Sequence, residues 1–304
     1  MLADHFAAQE MGERKSLDDI TTDGLVRQNR RASAMGDMNI PCHDAVSILD
    51  YGHSLSAADK NKAVGLDGLA LSLATADERS MIRLQYPLIL KQSLCISEPI
   101  QAKGGELIAR YKSGLKSKVS NHRSLMLGDG TQKCYHGAIR RKVLRTAEAG
   151  GLRDQACTGR RGRGADFAAL GARAFIRTLK HKNWCGGLLF WDLVAAYHRV
   201  IRCLVFGKNT WCSDEEITHV IKSLELPPST IEELVKHIDT EANCMNEYGA
   251  SDHLTLLTEE AHTTSFVMVN GATQPHETHR GGRPGNPFAD MVHQFLLAKS
   301  MRKK

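Results

Sequence analysis

The sequence lacks the cysteine spacing of a metal site or a disulfide framework. Its eight cysteines are scattered, and no two of them form a C-x-x-C pair. Cys42 stands beside His43 and Cys134 stands close to His136, but neither group has the second pair that a structural zinc site needs. A zinc module is therefore excluded, and we interpret the cysteines as reduced thiols without a shared role.

Two further absences concern membranes. The first fifteen residues, MLADHFAAQEMGERK, contain no apolar core of the kind found in a signal peptide. The most apolar run, residues 188–206, is interrupted by Asp192, His198, Arg199 and Arg202, so it cannot comfortably cross a bilayer. We expect an intracellular protein, nuclear or cytoplasmic, with neither a signal peptide nor a transmembrane segment.

Charge is unevenly distributed, although the net charge of +6 is modest. Residues 133–182 contain thirteen Lys and Arg against three acidic residues, and residues 213–262 contain twelve acidic residues against two Lys. A basic segment of this density suits the backbone of a nucleic acid, since each neutralised phosphate releases counterions. Two solvated surfaces of opposite sign would explain the same pattern.

Local patterns predict a first group of elements. The first sixty residues are polar, with one helix near the start. Residues 108–127 are typical of two short strands around a basic loop, and a basic helix is expected from about residue 131 to 147. Glycines make residues 159–164, GRRGRG, a flexible basic loop. Asp166 is expected to cap the next helix, which has an apolar stripe predicted to lie in the core. The stripe consists of Phe167, Leu170, Ala174, Phe175 and Leu179.

A second group of elements follows. Residues 186–193 form an apolar run of strand length, and a helix is expected from about Ala195. Capping boxes at Ser213 with Glu216 and at Ser229 with Glu232 each predict the start of an acidic amphipathic helix.

The last predicted elements are a hairpin and a helix. Asn270-Gly271 between two apolar stretches predicts a two-residue hairpin turn, with the second strand from Ala272 onward. Asn286 is expected to cap a final helix with Pro287 at its first position.

Asp192 is the residue most suggestive of chemistry. It ends the predicted buried strand, where a carboxylate is costly unless it is paired or bound. A strand end beside a turn is a suitable place for a divalent metal. Taken alone, Asp192 would be interpreted as a helix cap or half of a salt bridge rather than as a metal ligand.

The segment FWDLVAAY, residues 190–197, resembles the first palm motif of reverse transcriptases from non-LTR (LINE-type) retroelements. The resemblance implies that Asp192 binds catalytic Mg²⁺ with help from the backbone carbonyl of Leu193. It also implies that Tyr197 lies under the sugar of the incoming nucleotide and excludes a 2′-hydroxyl. Without the motif, Tyr197 would be an ordinary core aromatic.

A second segment, RGGRPGNPFAD at residues 280–290, resembles the palm motif of the same family that contains Arg-Pro-Gly. The resemblance implies that Gly285 lets the backbone approach the nucleotide or the template, and that Arg283 contacts phosphate. Asn286 stands where relatives commonly have Asp, a mild departure because both residues cap helices. The apolar hairpin before it, TSFVMVNGA, is also typical of the non-LTR branch.

The preceding region resembles the fingers of these enzymes less specifically. Residues 62–69 (KAVGLDGL), 111–114 (YKSG) and 121–124 (NHRS) match in order. The resemblance implies that Arg123 and Lys112 contact the phosphates of the incoming nucleotide. It implies that the basic loop after Gln155 contacts nucleic acid, through Arg160, Arg161 and Arg163.

One departure from the family concerns catalysis. Family members carry an Asp-Asp pair on a later palm hairpin, but this sequence has no Asp-Asp pair downstream of Asp192. We interpret the chain as truncated before that hairpin, and Asp192 alone cannot hold the two metal ions of nucleotidyl transfer. We therefore expect the chain to be inactive as it stands. His198 also replaces an Asp common in relatives, but that residue is not a metal ligand in the family, so little follows from this second departure.

The resemblance implies an α+β fold of the right-hand polymerase type, with helix-rich fingers, an incomplete palm holding a small antiparallel sheet, and no thumb. Its parts would be an N-terminal extension (residues 1–56), a fingers-like region (57–182) and a partial palm (183–304). The family reaction is Mg²⁺-dependent DNA synthesis from deoxynucleoside triphosphates on an RNA template with a DNA primer.

Two other functions fit the same sequence. One is a non-catalytic remnant of a retroelement that only binds nucleic acid, through residues 133–182. The other is a host protein that uses the scaffold for protein contacts, through its acidic helices at residues 213–247.

Overall fold

The structure is a computed structural model that describes most of the chain. The described ranges are residues 2–36, 38–152, 165–189, 193, 195–208, 214–269 and 272–301. Within them the chain is a helix-rich mixture of α and β structure around one small sheet of five strands. None of the described helices is both long enough and apolar enough to span a membrane.

The described helices and strands are numbered in chain order. The helices are α1 (Leu2–Gln9), α2 (Leu17–Met35), α3 (Ile48–Ser56), α4 (Leu71–Ala74), α5 (Glu78–Cys95), α6 (Gly130–Ala149), α7 (Ala165–Lys182), α8 (Arg202–Phe206), α9 (Asp214–Lys222), α10 (Pro228–Thr240), α11 (Cys244–Glu247), α12 (Asp252–Glu260) and α13 (Ala289–Met301). The strands are β1 (Glu13–Arg14), β2 (Gly104–Tyr111), β3 (His122–Leu127), β4 (Phe266–Val269) and β5 (His276–Glu277).

The sheet has the order β1-β5-β4-β2-β3. Strands β2 and β3 form an antiparallel hairpin, and β4 pairs antiparallel with β5. Strand β2 pairs parallel with β4, so the expectation of a purely antiparallel sheet was wrong. Parallel pairing is possible because the long connection between β2 and β4 includes several helices. Strands from all three predicted regions, including the first fifty-six residues, therefore share one sheet.

Helix α6 lies at the centre of the main core. Its residues Tyr135, Ile139 and Val143, spaced four apart along one face, are completely buried. They belong to the same apolar cluster as Phe288 and Phe295 near the end of the described chain. The core therefore joins the middle of the sequence to its last helix.

Several local predictions are confirmed. The β2–β3 hairpin surrounds the basic loop, and α6, Gly130–Ala149, matches the basic helix expected from about residue 131 to 147. Helices α9 and α10 pack their apolar faces together through Ile217, Ile221 and Ile238. The first sixty residues contain more helix than the one expected near the start. Ser16 caps α2, and Ser47 forms a capping box at the start of α3.

The segments on both sides of Asp192 differ from their predictions. Residues 184–189 form no strand, and residues 195–199 form turns rather than a helix. Asp192 itself lies outside the described residues. Helix α7 includes Asp166 in its first turn instead of using it as a cap. Its apolar stripe is largely exposed rather than core, since Phe167, Leu170 and Phe175 keep between 43% and 63% of their surface accessible.

Three smaller predictions also fail. Pro227 rather than Ser229 precedes α10, whose N-terminus has no side-chain cap. The second hairpin strand begins at His276 instead of Ala272, so the connection is longer than the two-residue turn expected at positions 270–271, which lie outside the described residues. Asn286 does accept a hydrogen bond from the Phe288 amide (3.0 Å), but α13 begins only at Ala289.

Glu260 at the end of α12 is buried between two cations. Its carboxylate pairs with the guanidinium of Arg31 and with Lys103 Nζ (2.6 Å). It also accepts hydrogen bonds from Gln28 Nε2 (2.9 Å) and from the Glu98 amide (3.1 Å). Burial by itself would raise the pKa of Glu260, but the two cations outweigh burial and lower this pKa. The carboxylate therefore links α2, the entry to β2 and α12.

We expect Glu260→Ala to lower the free energy of unfolding by about 3–5 kcal/mol, because it removes the carboxylate that two buried cations share. Since the pKa of Glu260 is lowered on folding, its contribution is present above its ordinary pKa of 4.5 and is lost as the pH falls further. Urea denaturation measures both effects. The matched control is Glu233→Ala on the exposed face of α10, expected to change stability by less than about 0.5 kcal/mol. Equal losses in the two variants would contradict the interpretation.

Candidate functional site

The segment after Asp192 lies directly beside the second palm-like motif. The Gly281 amide donates to the Val200 carbonyl (2.8 Å), and the Gly282 amide donates to the Tyr197 carbonyl (2.6 Å). Gly281 has φ +93°, a conformation that glycine adopts without strain. The two motifs recognised from the sequence are thus adjacent in the fold.

The turn at residues 283–286 pairs with the outer edge of β3, the last strand of the sheet. The Met126 amide donates to the Pro284 carbonyl at 2.8 Å. Gly285 has φ +102°, and a Cβ on it would fall well inside the contact distance of the Met126 carbonyl oxygen. Gly285 thus makes a close backbone approach to strand β3, and the predicted approach to a nucleotide or template stays a prediction.

The guanidinium of Arg202 joins the segment at residues 278–281 to the end of the helix that precedes β4. Its guanidinium donates to the carbonyl oxygens of His262 (2.7 Å), Thr278 (2.7 Å), Gly281 (2.9 Å) and Arg280 (3.0 Å). Burial lowers its pKa to about 10, so the guanidinium stays charged at neutral pH. Sequence reasoning missed this role, although a charged side chain within an apolar run, such as Arg202, indicates a group that needs hydrogen-bond partners.

Arg283 is also directed into the protein. It is 1% exposed, and its guanidinium donates to the carbonyl oxygens of Ala261 and Lys103 (2.8 Å for Lys103). Burial lowers the pKa of Arg283 to about 10. Because these donors are directed at the main chain, the structure gives Arg283 a scaffold role where the resemblance implied a phosphate contact.

Tyr197 remains at the surface of this corner. Its side chain is 40% exposed, and its ring meets His293 of α13 edge-on, with 5.4 Å between the ring centroids. Leu193 is also exposed. The other residues predicted for this site, Asp192 and the basic-loop arginines Arg160, Arg161 and Arg163, lie outside the described residues.

Lys112 and Arg123 lie on the exposed part of the β2–β3 hairpin. Arg123 is directly opposite Arg110, and the Lys112 amide donates to the Asn121 carbonyl (2.8 Å). Successive residues of a strand face opposite sides of the sheet. Ser124 faces the Tyr197 segment, so Arg123 faces away from it. The hairpin therefore carries these cations on a different face from Tyr197 and Gly285.

The ring of His198 connects two distant parts of the chain. Its Nε2 atom lies 2.8 Å from Ser124 Oγ on β3, and its Nδ1 atom lies 2.6 Å from a carboxylate oxygen of Glu10. The order serine, histidine, carboxylate is that of a serine hydrolase. Ser124 is nevertheless buried, and the nearby amides of Gly281 and Gly282 already donate to carbonyl groups, so they form no oxyanion hole. We therefore assign the contacts among Ser124, His198 and Glu10 a positioning role.

A cleft of about 550 Å³ opens between α2 and α9, and Arg202 and Thr278 form part of its wall. Lys15 and Arg30 line it together with Asp23 and Glu215, and the buried His262 also contributes to its wall. Its lining includes none of the described residues predicted to bind metal, nucleotide or nucleic acid. Among the described residues there is also no group of three His, Cys, Asp or Glu that could hold a metal ion. The magnesium expectation concerns Asp192 and therefore stays a prediction.

No protein-family model matches this chain, and no curated protein is significantly similar to it. Its function must accordingly be inferred from the residues and their geometry.

We expect Gly285→Ala to destabilise the fold by at least about 1–3 kcal/mol, because a side chain is strained at this positive φ and would meet the Met126 carbonyl. The control is Gly171→Ala on exposed α7, where a Cβ has open space. That change should stabilise the helix by about 0.5–1 kcal/mol. Midpoints of urea denaturation compare the two, and a stabilising Gly285→Ala would refute the tight approach.

Proposed function

We propose that this chain is part of a reverse-transcriptase-like domain that binds nucleic acid and does not by itself synthesise DNA. The observation that supports the proposal best is the convergence of three segments that the sequence singled out separately. Residues 195–200, residues 280–286 and strand β3 meet through backbone hydrogen bonds of 2.6–2.8 Å. Short motifs that match a family by chance have no reason to meet in space.

The β2–β3 hairpin supports the nucleic-acid part of the proposal. Between positions 107 and 128 the chain has five Lys or Arg and no acidic residue. Tyr111 at its outer part is 39% exposed, stacks edge-on with His122, and has Lys116 Nζ 5.6 Å from its ring centre. An exposed aromatic ring among cations suits a single-stranded nucleic acid, which offers phosphates and stackable bases.

The polymerase part of the proposal depends on the Tyr197 corner. In this proposal Asp192 and the Leu193 carbonyl would bind magnesium, and Tyr197 would lie under the sugar. Two magnesium ions would activate the primer 3′-hydroxyl and hold the leaving pyrophosphate. Because no Asp-Asp pair follows Asp192 in the sequence, the second set of carboxylate ligands is missing. We therefore infer binding without nucleotidyl transfer.

The hairpin makes the binding proposal testable. We expect the double change Lys112→Glu and Arg123→Glu to weaken binding of a single-stranded RNA, whatever its sequence. Loss of two phosphate contacts should reduce the slope of log K against log salt concentration by about 1.4. Fluorescence anisotropy over a range of salt concentrations measures both quantities.

The control for the hairpin is Lys222→Glu with Lys236→Glu, which changes the net charge equally on the exposed surface of α9 and α10. We expect the control to keep most of the affinity and the slope. If both double variants lose affinity to the same extent, only net charge matters and the hairpin is not the binding surface.

Primer extension tests the polymerase part separately. With a DNA primer on an RNA template, all four deoxynucleotides and Mg²⁺, the 304-residue chain should incorporate nothing while still binding the RNA. Asp192→Ala should leave that binding unchanged. Incorporation by the unaltered chain that is lost in Asp192→Ala would show that the catalytic set is complete and would overturn the proposal of an inactive domain.

A further inference from the structure

Helix α7 lies on the surface of the protein with apolar side chains in contact with solvent. All of its residues from Asp166 to Lys182 are exposed or only half-buried. Phe175 and Ile176 keep 43% and 40% of their surface accessible. Large apolar side chains that are grouped together at a surface indicate that something else covers them.

The apolar residues of α7 are grouped by helical spacing. At about 100° per residue, apolar residues at intervals of three and four positions fall on one side of the helix. This side, which we call the α7 face, consists of Ala168, Ala172, Phe175, Ile176 and Leu179. It runs over about three turns of the helix, so it forms one continuous patch.

Basic side chains border the α7 face. At about 100° per residue, Lys180 lies along one edge of the face and Lys182 lies along the other. Arg173 and Arg177 continue the basic surface beyond Lys180, whereas Asp166 is the one acidic residue of the helix sequence. Long basic side chains can lay their stems along an apolar face and keep their charged ends in water.

The end of the helix places a tryptophan at the α7 face. The Trp184 amide donates to the Leu179 carbonyl (3.0 Å), and Asn183 between them has φ +51°. This is the Schellman ending of a helix, and its backbone bond ties Trp184 to the last residue of the α7 face. The Trp184 ring is 61% exposed, and Lys182 Nζ lies 4.8 Å from its centre.

Two possible occupants match only part of this surface. A single-stranded nucleic acid would meet the basic residues but has no continuous apolar surface for Phe175 and Ile176. The acidic helices α9 and α10 of a second copy have the opposite charge. Their apolar residues Ile217, Ile221 and Ile238 are nevertheless already packed against one another.

The apolar surface also continues past the end of the helix. Residues 184–189 have no regular secondary structure, yet Trp184 and Leu189 are 61% and 78% exposed. A protein groove shaped for a helix would leave this extension uncovered. A lipid bilayer has an apolar interior below a charged layer, and tryptophan is favoured where one end of its ring is apolar and the other is wet.

We propose that α7 and Trp184 bind the surface of an anionic lipid bilayer. The α7 face would lie at the boundary between headgroups and acyl chains, with the basic residues among the anionic headgroups. Such a helix lies in the plane of the membrane and does not cross it. The inference is independent of the proposed nucleic-acid binding, which concerns the β2–β3 hairpin.

The test measures flotation of the full chain with vesicles of phosphatidylcholine that contain about one-third phosphatidylserine, an anionic lipid. Ile176→Glu puts a charge into the α7 face and keeps a good helix former at that position. It should weaken vesicle binding at least about tenfold, because the charge would enter the apolar boundary of the bilayer.

The matched control is Leu84→Glu on α5, which makes the same charge change at a side chain that is 72% exposed. It should bind vesicles nearly as well as the unaltered chain does. Equal losses in Ile176→Glu and Leu84→Glu, or no vesicle binding by the unaltered chain, would overturn the inference.

A second variant tests the basic border without touching the apolar residues. Arg173→Gln with Lys180→Gln should weaken binding to the anionic vesicles by about tenfold or more, since each Lys or Arg near an anionic surface adds to the affinity. Vesicles of phosphatidylcholine alone should bind the unaltered chain as weakly. Binding that depends neither on these cations nor on phosphatidylserine would contradict the proposed orientation.

Tryptophan fluorescence locates the contact. The emission of the chain, which has three tryptophans, should shift to the blue when anionic vesicles are added. Trp184→Phe should remove that shift and keep most of the binding. A shift that persists in Trp184→Phe would place the lipid contact elsewhere and refute the assignment to α7.

Two measurements without lipid distinguish the other occupants. If a second copy covers the α7 face, sedimentation should show a dimer that Ile176→Glu dissociates, and this result would overturn the inference. Single-stranded RNA should bind Ile176→Glu as well as the unaltered chain. A loss of RNA affinity equal to the loss of vesicle affinity would assign the α7 face to nucleic acid instead.

Discussion

The guanidinium of Arg202 is the constraint on which the rest of this structure depends. It bonds to main-chain carbonyls in two separate segments, at His262 and at residues 278–281. It also donates to the hydroxyl groups of Ser265 and Thr278, each at 3.0 Å. A partly buried cation gives up part of its hydration, so it needs acceptors from the chain in place of water. These hydrogen bonds fix residues 278–281, the segment that leads into the turn at residues 283–286.

Buried charge determines the architecture more widely. Glu260 joins α2 to the entry of β2 because Arg31 and Lys103 both need its carboxylate. Glu10 does the same for the corner around His198. At Glu260 a carboxylate from one segment compensates cations from two others, and removing it costs more than the pair contributes. The fold is thus specified by a few ionic links in addition to the apolar core around α6.

The two surfaces of interest lie on different sides of the sheet. The exposed hairpin presents Lys112 and Arg123 to solvent, whereas Tyr197, His198 and the glycine turn lie on the inner side with Glu10. A nucleic acid bound through Arg123 would therefore not contact the inner corner directly, whereas Tyr111, which pairs with His122, lies on the same face of the hairpin as Ser124.

What the sequence determined by itself is local. The basic hairpin, helix α6 and the two acidic helices followed from periodicity and turn residues, which act over a few positions. The tertiary structure alone decided that β2 pairs parallel with β4, that the stripe on α7 is exposed, and that Arg283 donates inward to Ala261 and Lys103. These outcomes depend on partners far away in the sequence. An arginine at a turn has the same local pattern whether its acceptors belong to a ligand or to its own main chain.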